Sequence, residues 1–250
     1  MRVLAAIDDG PQASAILAFA RSVAEPFEAR LAAFHVREGD SGAASRVAQE
    51  AGVELLETTG SPVEEIVAAV RDRDVVAVVF GARGMHAGPR PAGHTALEVM
   101  TRVRKPVVVV PPDGERRARI TRVLMPLEGT DESSRAMGET IALALRRDIE
   151  ILVLHVHARN EVPPFQDQPQ HEIPAWEREF VARFVRIPHA RVEVIERIGE
   201  TADRVVAAAR ETGADLIALG WNQDLSSGHA AVVREAIASS TVPVLLVPTA

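Results

Sequence analysis

The chain has 250 residues, of which 47% are hydrophobic, only 4% are aromatic and none is cysteine, with a formal net charge of -7. That length and apolar content build one large domain or two ordinary ones around Val, Ala, Leu and Ile, the palette of parallel strands under alanine-rich helices. The missing cysteines exclude disulfides, thiolate metal centres and cysteine catalysis, and the acidic balance argues against nucleic acid or an anionic membrane as partner.

Val3 to Ile7 reads as a buried strand closed by Asp8-Asp9-Gly10-Pro11. Ala13 to Ala24 has helical spacing, with Ile16, Leu17, Ala20 and Val23 on one stripe. Leu31 to Val36 is a second strand, Ser41 to Gly52 a loop and short helix, and Val53 to Thr58 a third strand. Ser61, Pro62 and Glu64-Glu65 then supply an N-cap, a first-position proline and an acidic first turn, before the apolar stripe of Val63, Ile66, Val67 and Val70. Val75 to Phe80 is a fourth strand, buried on both faces. A glycine-punctuated loop from Gly81 leads into a helix from Thr95, where Thr95-Ala96-Leu97-Glu98 has the form of a capping box. Pro106 to Pro111 is the fifth strand. The first residues are too soon acidic for a secretory signal, and no apolar run reaches membrane-spanning length, so a cytoplasmic protein is expected.

The series then repeats. At one offset Asp8 falls on Glu128 and Phe34-His35-Val36 on Leu154-His155-Val156. At a larger offset Gly60 to Ala69 falls on Gly199 to Ala208, and Phe80-Gly81 on Leu219-Gly220. The segment Arg159 to Ala175 accounts for the growing offset. The spacing predicts a duplicated unit, with boundaries at 1–112 and 119–250 around the turn-forming Pro111 to Arg117. Each unit is read as a doubly wound five-stranded parallel sheet in the order 3-2-1-4-5. In such sheets ligands sit beyond the carboxyl ends of the strands, where the order reverses, so Asp8 and the Gly81 loop are placed at one crevice. The fifth strands, Val107 to Val110 and Val244 to Val247, are too apolar to be left as open edges. They are expected to pair antiparallel, either as an internal pseudo-dimer or between two chains of a homodimer.

A strand, a glycine loop and a helix start are the parts of an anion site, because bare backbone amides and the helix dipole face the ligand. Arg83 offers a charge-assisted hydrogen bond to such an anion, or is simply solvated. Asp8 meets a ligand, caps the following helix or closes a turn, and Asp9 is read as solvated. His155 and His157 share a strand face, but no third ligand is evident, so no metal site is expected. Trp176 is read as packing a short helix onto the sheet, with Glu177-Arg178-Glu179 as a solvated face.

In its duplication, its acid after the first strand and its Gly81-x-x-Gly84 loop closing on Gly93, the chain resembles tandem universal stress proteins. The family has an adenine-nucleotide α-hydrolase-like α/β fold. The resemblance implies that Asp8 meets a ribose, that Ile7 and Val36 line an adenine pocket, and that Gly81, Gly84, Gly93, His94 and Thr95 surround phosphates. The ligand implied is ATP or AMP, with Mg²⁺ at Asp8 and Asp9 as an option. Two departures stand out: eight residues rather than nine separate Gly84 from Gly93, and His94 takes the place of the usual Ser or Thr. The second copy, Gly220-Trp221-Asn222-Gln223-Asp224, keeps only the first glycine and reads as degenerate. With no Gly-x-Ser-x-Gly elbow and no Walker lysine, no catalytic residue is assigned, and slow ATP hydrolysis is left open. The reading is a stress-associated regulator that binds an adenine nucleotide in its N-terminal half and changes an unidentified protein partner. The alternative is a nucleotide-free interaction scaffold.

Overall fold

The computed structural model describes residues 1–37, 39, 42–82, 92–112, 119–127, 137–138, 148–157, 169–185, 192–226 and 230–249. In the N-terminal half the order is β1 (Arg2–Ala6), α1 (Ala13–Ala24), β2 (Arg30–Val36), α2 (Ala43–Ala51), β3 (Glu54–Thr58), α3 (Pro62–Val70), β4 (Val75–Gly81), α4 (His94–Arg102) and β5 (Val107–Val110). The C-terminal half contributes β6 (Arg122–Pro126), β7 (Glu150–His157), α5 (Pro169–Phe180), β8 (Val192–Ile198), α6 (Thr201–Thr212), β9 (Leu216–Trp221), α7 (Ala231–Ser239) and β10 (Val244–Pro248). A π-helical turn, Val181–Val185, follows α5 directly.

Local chemistry explains several boundaries. Ser61 occupies the N-cap of α3 with Pro62 in its first turn and Glu64 and Glu65 behind it, as the residue order predicts, although the Ser61 hydroxyl itself makes no cap bond. Gly52 and Gly213 end α2 and α6 in the left-handed conformation, each amide returning to carbonyls of the last turn. Gly199 takes φ 141°, a backbone conformation that residues with a side chain rarely adopt.

The ten strands among the described residues form one sheet, in the order β3-β2-β1-β4-β5-β10-β9-β6-β7-β8. Each half keeps the expected 3-2-1-4-5 order, and the two five-stranded parallel sheets are fused at one antiparallel seam. Val244 lies opposite Val109, Leu245 opposite Val108 and Leu246 opposite Val107. The two apolar edges thus cover each other within a single chain.

Alternation along β1 sends Val3, Ala5 and Ile7 to one face and Leu4 to the other. One layer unites α3, α4, α6 and α7 with both halves of the sheet through Leu4, Val78, Met100, Leu124, Ile217 and Leu246. The opposite layer packs α1, α2 and α5 through residues such as Leu17, Phe19, Val108, Ile151 and Phe180. Each core therefore runs across the seam. Among the described residues, no helix is long and apolar enough to cross a membrane.

Candidate functional site

Parallel register brings the first-half residues together. Ala6 lies opposite both Phe34 and Phe80, so β1 ends first, with β2 running two residues and β4 one residue beyond it. Asp8 leaves the sheet just beyond Ile7, whose amide donates to Phe34 O at 2.9 Å. Gly81 closes β4 beside Val110, and the Ala82 amide donates to Val110 O at 2.8 Å. The Gly93 amide in turn donates to Ala82 O at 2.7 Å, drawing the two ends of the glycine loop together. Arg83 and Gly84 lie outside the described residues.

Gly93, not Thr95, is the N-cap of α4, and the helix begins at His94. The capping-box reading is corrected accordingly. Thr95 sits in the first turn, exposed, and no side chain caps this helix. The cap falls at Gly93 because its amide is held by Ala82 O, which fixes where the chain turns into the helix. His94 is also exposed, with Nδ1 3.3 Å from Glu98 Oε1, a surface pair worth little.

The acidic loop divides its work. Asp8, half-buried, accepts the Gly10 amide at 2.9 Å through Oδ1 and so closes a turn. Asp9 is not merely solvated, as the sequence suggested. Its Oδ1 accepts the Ala44 amide at 2.8 Å, capping α2 from a distant loop, and Oδ2 lies 3.8 Å from His35 Nε2. Ile7 and Val36 are both buried but join cores on opposite faces of the sheet.

Two histidines that sequence reasoning left without a role do the same thing in both copies. His35 Nδ1 is 3.0 Å from Ile7 O, and His155 Nδ1 is 3.1 Å from Leu127 O. Since a carbonyl only accepts, Nδ1 carries the proton in each, and each ring ties the end of a second strand to the end of the first. The repeated apolar-His-Val triplet was the available signal.

In the second half, Gly220 is half-buried and Trp221, at the place of Ala82, is buried. Trp176 packs against His155, His157 and Phe180, holding α5 on the sheet as expected. Among the described residues no group of three or more ligating side chains is arranged to hold a metal ion. Glu196 lies across from this cluster, with Oε2 3.5 Å from His157 Nε2. Burial, helped by the charge of Glu177, pushes its carboxyl up to about 7. A raised folded-state value means stability fully present below the ordinary carboxylate range and lost as pH rises to about 7. Urea unfolding is expected to show a loss of about 1 kcal/mol between pH 5 and 8, scaled down because the carboxyl is partly solvated. Glu196→Gln should flatten that slope, and an unchanged slope in the variant would assign it elsewhere.

A doubly wound sheet duplicated along one chain, with an acid after the first strand and a glycine loop leading into an uncapped helix, defines the class of adenine-nucleotide α-hydrolase-like folds. The model of the universal stress protein family matches residues 40–111 and again 119–248. The chain belongs to the universal stress protein family. A universal stress protein from Archaeoglobus fulgidus DSM 4304 superposes with a TM-score of 0.65 at 16% identity, covering 98% of this chain and 96% of the other. A functionally unknown protein from Pseudomonas aeruginosa PAO1 gives 0.68 at 12% identity, covering 99% and 92%. A universal stress protein solved in complex with cAMP is 24% identical over 52% of this chain and 98% of its own, with a TM-score of 0.40. No curated protein matches the chain in sequence.

Proposed function

We propose that the N-terminal half binds an adenine nucleotide, ATP or AMP, at the carboxyl ends of β1 and β4, and that the protein acts as a regulator rather than an enzyme. One observation carries this reading: Asp8, a half-buried carboxylate, follows β1, and the start of α4, which no side chain caps, is tied by the Gly93-to-Ala82 hydrogen bond to the end of the adjacent strand β4. The carboxylate suits ribose hydroxyls. The amides at Gly93, His94 and Thr95 suit phosphate oxygens, with the exposed Thr95 hydroxyl a further donor and Gly81 allowing close approach. Ile7 and Val36 are assigned to the base as contacts from the strand ends, each from its own face of the sheet. Arg83 and Gly84 complete the loop. Because Asp9 is engaged by α2, Mg²⁺ enters this reading only together with a triphosphate.

The C-terminal half is read as degenerate. Trp221 is 5% exposed and fills the position that corresponds to Ala82 at the mouth of the first loop. Asp224 adds a like charge where a phosphate would lie. The boundaries 1–112 and 119–250 then separate a binding unit from a supporting one.

Mass spectrometry of the purified, denatured protein for carried-over ATP or AMP, followed by calorimetric titration, tests this. Gly84→Asp is expected to weaken binding by on the order of a hundredfold or more, through a carboxylate set among phosphates. Gly220→Asp, in the second half, sets no carboxylate among phosphates and should weaken binding by at most about tenfold. Silence of both substitutions would overturn the loop assignment, and absence of any nucleotide binding would leave the scaffold reading in its place.

A further inference from the structure

The offset that lays Gly81 on Gly220 lays Gly84 on Gln223. The second copy thus lost its second glycine to a glutamine, yet it kept the backbone a glycine would supply: Gln223 has φ 64°, in the left-handed region that disfavours side chains. Holding a glutamine there has a cost, so its side chain should return something.

It reaches into the other half of the molecule. Gln223 Nε2 donates to Met100 O at 3.0 Å and to Val103 O at 2.6 Å. Both acceptors are carbonyls, so the amide orientation is fixed with its NH₂ group toward them. These are carbonyls at the C-terminal end of α4, where the helix leaves its last acceptors unmet. Trp221, two residues earlier, is buried in the same core layer as Val99, Met100 and Val103 of α4 and its exit. The remnant of the second glycine loop therefore grips the helix that follows the first one.

We infer that Gln223 is a positioning residue for the nucleotide site of the opposite half: it holds the C-terminal end of α4 so that the N-terminal end stays set for phosphate. This rests on the nucleotide reading above. α4 is then fixed at both ends, by the Gly93-to-Ala82 hydrogen bond at its start and by the Gln223 amide at its finish. A site fixed before the ligand arrives binds more tightly, because less ordering is left to do. The arrangement runs one way, since Gly84 has no side chain with which to return the contact. On this view the second copy lost a binding loop and became the clamp of the first.

Two substitutions in the full chain test the clamp. Gln223→Glu is nearly isosteric but presents only acceptors to two carbonyl oxygens. Gln223→Gly removes the contact while relieving the backbone, so it keeps the protein folded. Calorimetric titration with ATP and with AMP is expected to show about tenfold weaker binding in both variants, the scale of two lost neutral hydrogen bonds partly compensated by water. Amide hydrogen exchange across residues 94–103 should be faster in both, without ligand present. Wild-type affinity in both variants would overturn the inference. If the wild-type protein binds neither nucleotide, the function proposed above falls, and the clamp is decided by exchange alone: faster in the variants supports it, unchanged overturns it.

Discussion

Replacing Val108 with aspartate is expected to cost about 4 kcal/mol or more, a large part of the stability of an ordinary domain. Val108 is fully buried at the centre of β5, opposite Leu245 of β10. The strand, Val107–Val110, is buried along its whole length, so a charge at Val108 has no solvent within reach. Its side chain enters the layer formed with α1, α2 and α5, which runs across both halves. A carboxylate there would find no polar partner, and the chain would have to protonate it, open the seam or unfold. Urea unfolding followed by far-ultraviolet circular dichroism reads the difference. Val108→Ala sets the scale for lost packing alone, about 2 kcal/mol. If the aspartate costs no more than the alanine, the seam is not closed to water as the burial of Val108 implies.

A second substitution separates the seam from generic core damage. Leu245→Lys in the Val108→Asp background places an ammonium directly across the antiparallel pair. It should recover about 1 kcal/mol, the scale of a favourable cross-strand pair. Lysine at Val123, buried in the same layer but on β6, should recover nothing. Selective rescue would show that Val108 and Leu245 meet in solution in the register seen here. The underlying cause is simple: a sheet built of two such units has two apolar edges to hide, and pairing them removes both.

The seam was legible in the sequence because a run of four valines allows few other fates. The strand order followed from the alternation of strands and helices, and the duplication from repeated triplets such as Phe34-His35-Val36 and Leu154-His155-Val156. What escaped was whatever depended on a partner remote along the chain. Asp9 looked solvated because Ala44, whose amide it accepts, is far off in sequence, and nothing in the intervening residues signals that α2 begins against that loop. Thr95 looked like a cap because Thr-x-x-Glu is a local pattern, whereas the cap at Gly93 is set by its tertiary hydrogen bond to Ala82. Gln223 read only as a lost glycine, because sequence shows what a loop lacks and not what its new side chain touches. The elements of the candidate site were therefore visible, and the contacts that fix them were not.

The same limit applies to Asp215, whose removal is the other large effect expected. It corresponds to Val76 in the first copy, so the second copy carries a carboxylate where the first has an apolar side chain. Asp215 is 3% exposed, and Oδ2 accepts the Thr121 amide at 2.8 Å, the Thr121 hydroxyl at 2.6 Å and the Arg122 amide at 3.0 Å. Its own amide donates to Arg122 O at 2.8 Å. One side chain thereby satisfies the backbone at the start of β6 and ties it to the start of β9. Asp215→Ala strands those donors in a buried place and should cost about 3 kcal/mol. For a chain of this size that is a fall in Tm of about 6–12 °C. Asp215→Asn keeps an acceptor oxygen without the charge, and should cost about half as much. Asp215→Val, which copies the first repeat, is the decisive variant. It restores apolar volume but not the acceptor, so it should be nearly as costly as alanine. A valine variant within about 0.5 kcal/mol of wild type would mean that the strand needs only bulk at this position. A valine as costly as alanine, with asparagine between, would show that the start of β6 is held by the accepting oxygen.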